Sequence, residues 1–275
     1  MPDSADDRAR IDAIAWYHEF DFPGGLRARA SGPDVDFHRT IWRFIGRELD
    51  RIDFNGKSVL EIGCWDGYWS FEAERRGASS VLATDDHTQN WANSAGLLLA
   101  KELLGSHVQT KLDVSVYDLD ALGGQYDIIL CLGVYYHLVD PYYAFAQIRK
   151  RCHEQTIVVF EGDVTLGMRD RTVQLDLSDH TFGVFIPTRS SLNGLLEAAY
   201  LHVTSQSLMR TSRTGGWFDR LRHVARSALG RPSHLPPNMN RAITVCAPFT
   251  GTNPQHAYRP PFGLAAYDDR FTPAG

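Results

Sequence analysis

The sequence predicts an α/β fold built on a mostly parallel sheet with crossover helices. Three observations predict it. Short apolar runs end at glycine or acidic turns, and stretches of helical periodicity fill the gaps between them. One run, Tyr126–Leu132, is apolar nearly throughout, as in a strand covered on both faces.

Residues 1–10 are polar and expected to fray. An aromatic cluster, Trp16, Tyr17, His18, Phe20 and Phe22, runs into the turn signal Pro23-Gly24-Gly25. Between Phe37 and Ile52, Ile41, Ile45, Leu49 and Ile52 share one face, which predicts an amphipathic helix. Alternation then begins. Ser58–Ile62 reads as a strand ending at Gly63, and Tyr68–Arg76 as a helix closed by Gly77. Val81–Thr84 is a second strand, ending at Asp85-Asp86, and Trp91–Leu104 a helix closed by Gly105. Val108–Leu112 and Tyr126–Leu132 follow as strands. Asp140-Pro141 opens a helix through Cys152, and Thr156–Phe160 is a fifth strand. Five strands with helices between them predict a parallel sheet. Beyond them, Thr188 caps a helix bearing Leu192, Leu195, Leu196 and Ala199, and Val203–Leu208 and Ala242–Pro248 read as two more strands.

The 275 residues suffice for one large domain or two small ones, and 43% hydrophobic with 22% charged residues excludes wholesale disorder. A net charge of −5 argues against a constitutive nucleic-acid binder. No apolar run approaches the roughly 20 residues of a bilayer span, and MPDSADDRAR carries no apolar signal region, so a cytoplasmic protein is expected. Cys64, Cys131, Cys152 and Cys246 are dispersed and read as reduced, mostly buried thiols. The eleven histidines show no paired metal spacing, and no metal is expected.

Chemistry concentrates in Val59–Trp69, where a strand enters a glycine turn and then a helix, the place where open α/β sheets bind ligands. A dinucleotide fingerprint from Gly63 would need glycine at 65 and 68, but Trp65 and Tyr68 stand there, and no phosphate-cradling loop is present. Asp85, 22 residues after Gly63, is placed to bind ribose hydroxyls, with Asp86 its rival. Glu61 adds a negative charge near the turn. A cationic nucleoside such as S-adenosylmethionine (SAM) fits this better than a dinucleotide does.

The runs VLEIGCWDGYWSFEAERRGA, LATDD, SVYDL and YDIILCLGVYYHLVDP, in that order, resemble the class I SAM-dependent methyltransferases. Within them the chain is most similar to the wobble-uridine tRNA carboxymethyl- and methoxy-forming branch and its small-molecule relatives, over roughly residues 12–248. The resemblance implies a Rossmann-like, doubly wound, seven-stranded sheet with an antiparallel last strand. It also implies that Glu61, Gly63, Cys64 and Gly67 line the cofactor turn, that Asp85 holds the ribose, that Ser115 and Val116 flank the adenine, and that Leu132 and Gly133 lie beneath the methionine end. The departure is Trp65, where the superfamily usually has glycine. In the tRNA branch the counterparts of Tyr136 and Arg241 help hold a carboxylated cofactor. Its N-terminal lysine has no counterpart here, which favours plain SAM.

The expected organisation is an aromatic, helical segment over 1–52 capping the acceptor site, a SAM-binding domain over 53–250 with a basic insertion at 209–241, and an extended tail over 251–275. His137 and Tyr136 are the candidate catalytic residues, since a neutral imidazole can take the acceptor proton. The bland reading of His137 is a residue that shapes the loop. Trp16, Tyr17, Tyr135 and Arg241 are the candidate substrate contacts. The insertion carries six arginines between Arg210 and Arg231 and reads first as a lid, then as an anion-binding face. The expected activity is methyl transfer to oxygen or nitrogen of a small molecule, a saccharide or secondary metabolite. The alternatives are a tRNA wobble-uridine modifier and a non-catalytic binding module.

Overall fold

The computed structural model describes residues 4–30, 34–90, 94–165, 171–175, 177, 184–209 and 239–249. The sheet is seven-stranded, with the order β10-β11-β7-β6-β3-β4-β5. Its strands are β3 (Ser58–Ile62), β4 (Ser80–Thr84), β5 (Gln109–Lys111), β6 (Tyr126–Leu132), β7 (Cys152–Thr165), β10 (Leu201–Leu208) and β11 (Met239–Pro248). Strand β3 pairs in parallel with β4 and β6, and β4 with β5; β11, the last in the chain, runs antiparallel to both β7 and β10. This is the expected mostly parallel sheet with an antiparallel last strand.

The chain divides into two compact units, residues 1–132 with 151–156, and residues 133–150 with 157–275. In the first, α1 (Ser4–Asp12) forms where fraying was expected. Arg10 donates to both carboxylate oxygens of Glu102, at 2.7 and 2.6 Å, and Ile11 is buried, so tertiary contacts override a polar sequence. Strands β1 (Phe20–Asp21) and β2 (Arg27–Ala28) pair across the Pro23–Gly25 turn. Helix α2 (Val35–Leu49) buries Ile41, Phe44, Ile45 and Leu49, the face its periodicity marked. Helix α3 (Tyr68–Arg75) follows β3, and Gly77 closes it at φ 94°. Helix α4 (Ala95–Leu104) starts later than expected, after Ser94, and residues 91–93 of that expectation lie outside the described residues. The connection from β5 to β6, where a loop around Ser115–Asp118 was expected, holds a single 3-10 turn, Leu119–Leu122. Val59, Leu60, Val81, Leu97, Ile128 and Ile129 fill the core of this unit, all 5% exposed or less.

In the second unit, α5 (Pro141–Lys150) stops two residues short of the expected Cys152, which instead opens β7. Strand β7 also outruns the expected Thr156–Phe160, because Val158–Thr165 pairs residue by residue with β11. Cross-strand pairing thus carries the strand through Glu161, Gly162 and Asp163, whose types disfavour strand in isolation. A hairpin of β8 (Val173–Leu175) and β9 (Phe185–Pro187) was not foreseen. Helix α6 (Arg189–Ala198) is capped as expected: the Thr188 hydroxyl accepts from the Ser191 amide. Residues 210–238 and 250–275 lie outside the described residues, and with them nearly all of the basic insertion and the whole tail. Among the described residues, no helix is long and apolar enough to cross a membrane.

Candidate functional site

The first unit presents a tight turn at the end of β3. The amides of Gly63 and Cys64 both donate to the Thr84 carbonyl, at 2.9 and 3.0 Å, which ties the turn to the end of β4. Gly67 then donates to the Cys64 carbonyl at 2.7 Å and starts α3. Gly63 and Gly67 have φ of 71° and 80°, conformations that side chains other than glycine adopt reluctantly. Gly67 has a second constraint, since a Cβ there would strike Leu97 and Phe71. Trp65 also has positive φ, 53°, at a cost of about 1–2 kcal/mol.

Three carboxylates stand at this turn, all buried. Glu61 accepts a short hydrogen bond from the Ser70 hydroxyl. Burial pushes its pKa up to about 8; Ser70 opposes the shift, and the negative charges of Asp66 and Asp85 add to it. Asp85 accepts from the Asn90 amide at 3.0 Å and the Asp86 backbone amide at 3.0 Å, and burial raises its pKa too. Asp66 is held by His18: the His18 amide donates to Oδ2 at 2.7 Å, and its Nδ1 lies 2.6 Å from Oδ1. The His18 ring stacks on Tyr68, with centroids 4.8 Å apart, and touches Tyr17, Trp42 and Trp69.

The second unit holds a separate cluster. Cross-strand neighbours Asp163 and Arg241 share a face of β7 and β11 with Glu161, two residues back. Arg241 donates from Nε and Nη2 to the two oxygens of Glu161, at 2.7 and 2.6 Å, and from Nη1 to Asp163 at 3.2 Å. Its guanidinium lies 4.7 Å from the ring centroid of Tyr136. The His137 ring sits 4.2 Å from that of Tyr136. Desolvation, followed by the Arg241 cation, pushes the His137 pKa down to about 4. The side chain stays exposed by surface area, and solvent moderates that fall. Gly162 lets both tyrosines approach: a Cβ there would meet Tyr135 at 2.6 Å and Tyr136 at 2.8 Å.

A family profile described as a methyltransferase domain matches residues 37–206, more than half of the chain. The chain belongs to this methyltransferase family. Its sheet order and antiparallel last strand are those of the class I SAM-dependent members. A tRNA U34 carboxymethyltransferase of Pseudomonas paraeruginosa is 31% identical over 153 residues, which is 52% of this chain and 46% of that protein. The chain thus spans about half the length of the curated relatives it matches. Among solved structures, the N-terminal domain of EvdMO1 with SAH bound superposes at a TM-score of 0.61 and 17% identity, covering 90% of this chain and 98% of that one. The [4+2]-cyclase SpnF superposes at 0.60 and 14%, covering 89% and 92%. Likenesses at such identities speak to the fold alone.

Within this methyltransferase domain the sequence-predicted residues separate by environment. Glu61, Gly63, Cys64, Gly67 and Asp85 share the β3 turn or the strand end beside it. Ser115 and Val116 follow Val114, whose amide donates to the Asp85 carbonyl at 3.1 Å. Asp86 serves its own turn: its Oδ1 accepts from the amide and hydroxyl of Thr88, at 3.1 and 2.6 Å. Cys64 is buried, and burial raises its thiol pKa, which suits a packing role. Leu132 ends β6, and Gly133 follows at φ 76°, its amide donating to the Glu161 carbonyl. Trp16, expected at an acceptor surface, is a core residue: it is 5% exposed, packs on Phe20 and Phe22, and donates to the Ile11 carbonyl. Tyr135 is likewise fully buried, its hydroxyl donating to the Asp163 carbonyl at 2.8 Å. Arg241 is buried and engaged by two carboxylates of its own unit. Tyr17 is half-buried.

The sequence pattern does not disclose His18 and Asp66 as a pair, nor the parts played by Ser70, Asn90, Glu161, Gly162 and Asp163. Asp66 stands inside the motif, but nothing local identifies a partner 48 residues away.

Proposed function

We propose that the chain transfers a methyl group from SAM to an oxygen or nitrogen of a small-molecule acceptor. The observation that carries this reading is the turn after β3, where Glu61, Asp66 and Asp85 gather three buried carboxylates with no glycine-rich phosphate cradle. Such a donor set suits a nucleoside that is cationic and has free ribose hydroxyls. Asp85 would hold the ribose, since Asp86 is occupied by Thr88. Glu61 would face the positive end, and Ser115 and Val116 would flank the base. When bound, SAM supplies a methyl group already activated by its sulfonium.

The chain's own contribution is to hold the acceptor in line and to keep water away. His137 is neutral at physiological pH and able to accept a proton, although a low pKa makes it a weak base. The Tyr136 ring, braced by the Arg241 cation, fixes the wall beside it. Isothermal titration with SAM and S-adenosylhomocysteine (SAH) tests the reading directly: micromolar binding that collapses in Asp85→Ala supports it, and absence of binding removes it.

The similarity to tRNA U34 carboxymethyltransferases makes tRNA carboxymethylation the second reading. The Arg241 cluster weighs against it. Glu161 and Asp163 already surround the guanidinium, two carboxylates to one cation, so its charge is spent within its own unit. Plain SAM is therefore the cofactor we assign.

A further inference from the structure

Four aromatic side chains of the first unit remain unused by the cofactor reading. Tyr17 precedes β1, His38 and Trp42 lie on α2, and Trp65 belongs to the cofactor turn itself. The Tyr17 ring is the hub: its centroid lies 5.1 Å from that of His38, 5.8 Å from Trp42 and 6.4 Å from Trp65. All four are half-buried, so each ring retains solvent-facing surface, unlike the core aromatics Trp16 and Trp69. Two further observations mark the cluster as more than packing. The indole Nε1–H of Trp42 is buried and has no hydrogen-bond acceptor among the described residues, an unmet need that native interiors rarely leave without a purpose. Trp65 holds a left-handed backbone conformation, and strain of this kind gathers at binding sites.

We propose that Tyr17, His38, Trp42 and Trp65 form the acceptor-binding site and that its ligand is an uncharged sugar ring. The proposal rests on the methyl-transfer reading for the word acceptor, but the site itself does not depend on it. Aromatic faces are electron-rich and attract the weakly positive C–H face of a pyranose, while a ring or hydroxyl oxygen can accept from the Trp42 indole N–H. Charge selects against anions. The His18 ring touching Tyr17 and Trp42 carries the Asp66 carboxylate, and Asp85 lies at the same turn, so a phosphorylated ligand would be repelled. A planar base would also stack, and the experiment separates it from a sugar.

Saturation-transfer NMR on the full chain, with and without SAH, uses methyl β-D-glucopyranoside and D-galactose as probes and uridine as the planar competitor. Saturation is expected on the ring C–H protons of a pyranose. Trp42→Phe, which keeps the ring and deletes the N–H, should weaken binding by up to about tenfold. Trp42→Ala combined with Tyr17→Ala should abolish it. SAH affinity should stay within about twofold of wild type in Trp42→Phe, which shows that the variant is folded. Pyranose binding that persists while SAH fails to bind supports the site and removes the methyl-transfer reading. Saturation of neither pyranose, binding of uridine alone, or full pyranose binding in the double alanine variant overturns the proposal.

Discussion

Among single residues, the adjacent Asp85 and Asp86 divide by what they already bind. Asp86 spends one oxygen on the Thr88 amide and hydroxyl, while Asp85 is held by an amide side chain and backbone amides at a buried site. Asp85→Ala is therefore expected to weaken SAH binding by about tenfold or more, because two ribose hydroxyls lose a charged partner, while Asp86→Ala leaves it within a few-fold. Calorimetry on both variants checks the contrast, and equal losses would place the ribose elsewhere. Glu61 makes a pH-dependent prediction. Its carboxyl is pushed up from 4.5 to about 8, so the folded, unliganded protein holds a proton that the unfolded chain releases above pH 4.5. That contribution to stability is complete at low pH and is lost as pH rises through about 8. A bound cation favours the carboxylate and expels the proton. Affinity for SAM should therefore climb with pH, by at most about tenfold per unit, and level off above about 8. Glu61→Gln should remove that part of the slope; an identical pH profile in wild type and variant would show that Glu61 does not face the cation. His137→Ala should slow turnover by no more than about 10²-fold, given so weak a base, and leave SAH affinity intact.

Single elements show what glycine does in this chain. Gly162 sits in β7 beneath two tyrosine rings, one of them fully buried and unable to give way. Gly162→Ala should cost about 1–3 kcal/mol of stability by overpacking. A methyl group added at Gly46, within α2, would meet nothing within 4 Å, so Gly46→Ala should stabilise by about 0.4–1 kcal/mol. Chemical denaturation of the two variants reads opposite signs if this packing is right. The same elements explain how much was legible beforehand. Helix α2, β3 with its turn, α3 and the Thr188 cap were readable because periodicity, glycine and capping residues are local signals. Helix α1 was not, because a bidentate ion pair to Glu102 holds it. The second half of β7 was not, because its pairing with β11 joins residues about eighty apart. At the candidate site, the glycine turn after β3 and the place of Asp85 at the end of β4 were legible from spacing. The His18–Asp66 pair and the Arg241 cluster are tertiary, so Trp16 and Tyr135 read as surface contacts when packing claims both.

For the whole molecule, the question is whether its charge suits a polyanion. The chain carries 28 Lys and Arg against 33 Asp and Glu, a formal balance of −5. Binding to RNA draws its free energy largely from counterion release by cations at phosphates, so a net negative protein must concentrate its cations to succeed. Among the described residues, Arg39 is committed to Glu19 and Asp36, and Arg241 to Glu161 and Asp163. The six arginines between Arg210 and Arg231 are a concentration of cations in the sequence, and they give the RNA reading its foothold. Filter binding or fluorescence anisotropy with unmodified tRNA across roughly 50 to 200 mM salt distinguishes the cases. A small-molecule enzyme should bind tRNA no tighter than the non-specific range of about 10⁻⁴–10⁻⁶ M at physiological salt. Any residual binding should disappear when those arginines are replaced by serine, with SAM affinity unchanged. Submicromolar binding that survives the highest salt would mean that RNA is recognised through contacts beyond charge, and the acceptor would then have to be sought in tRNA.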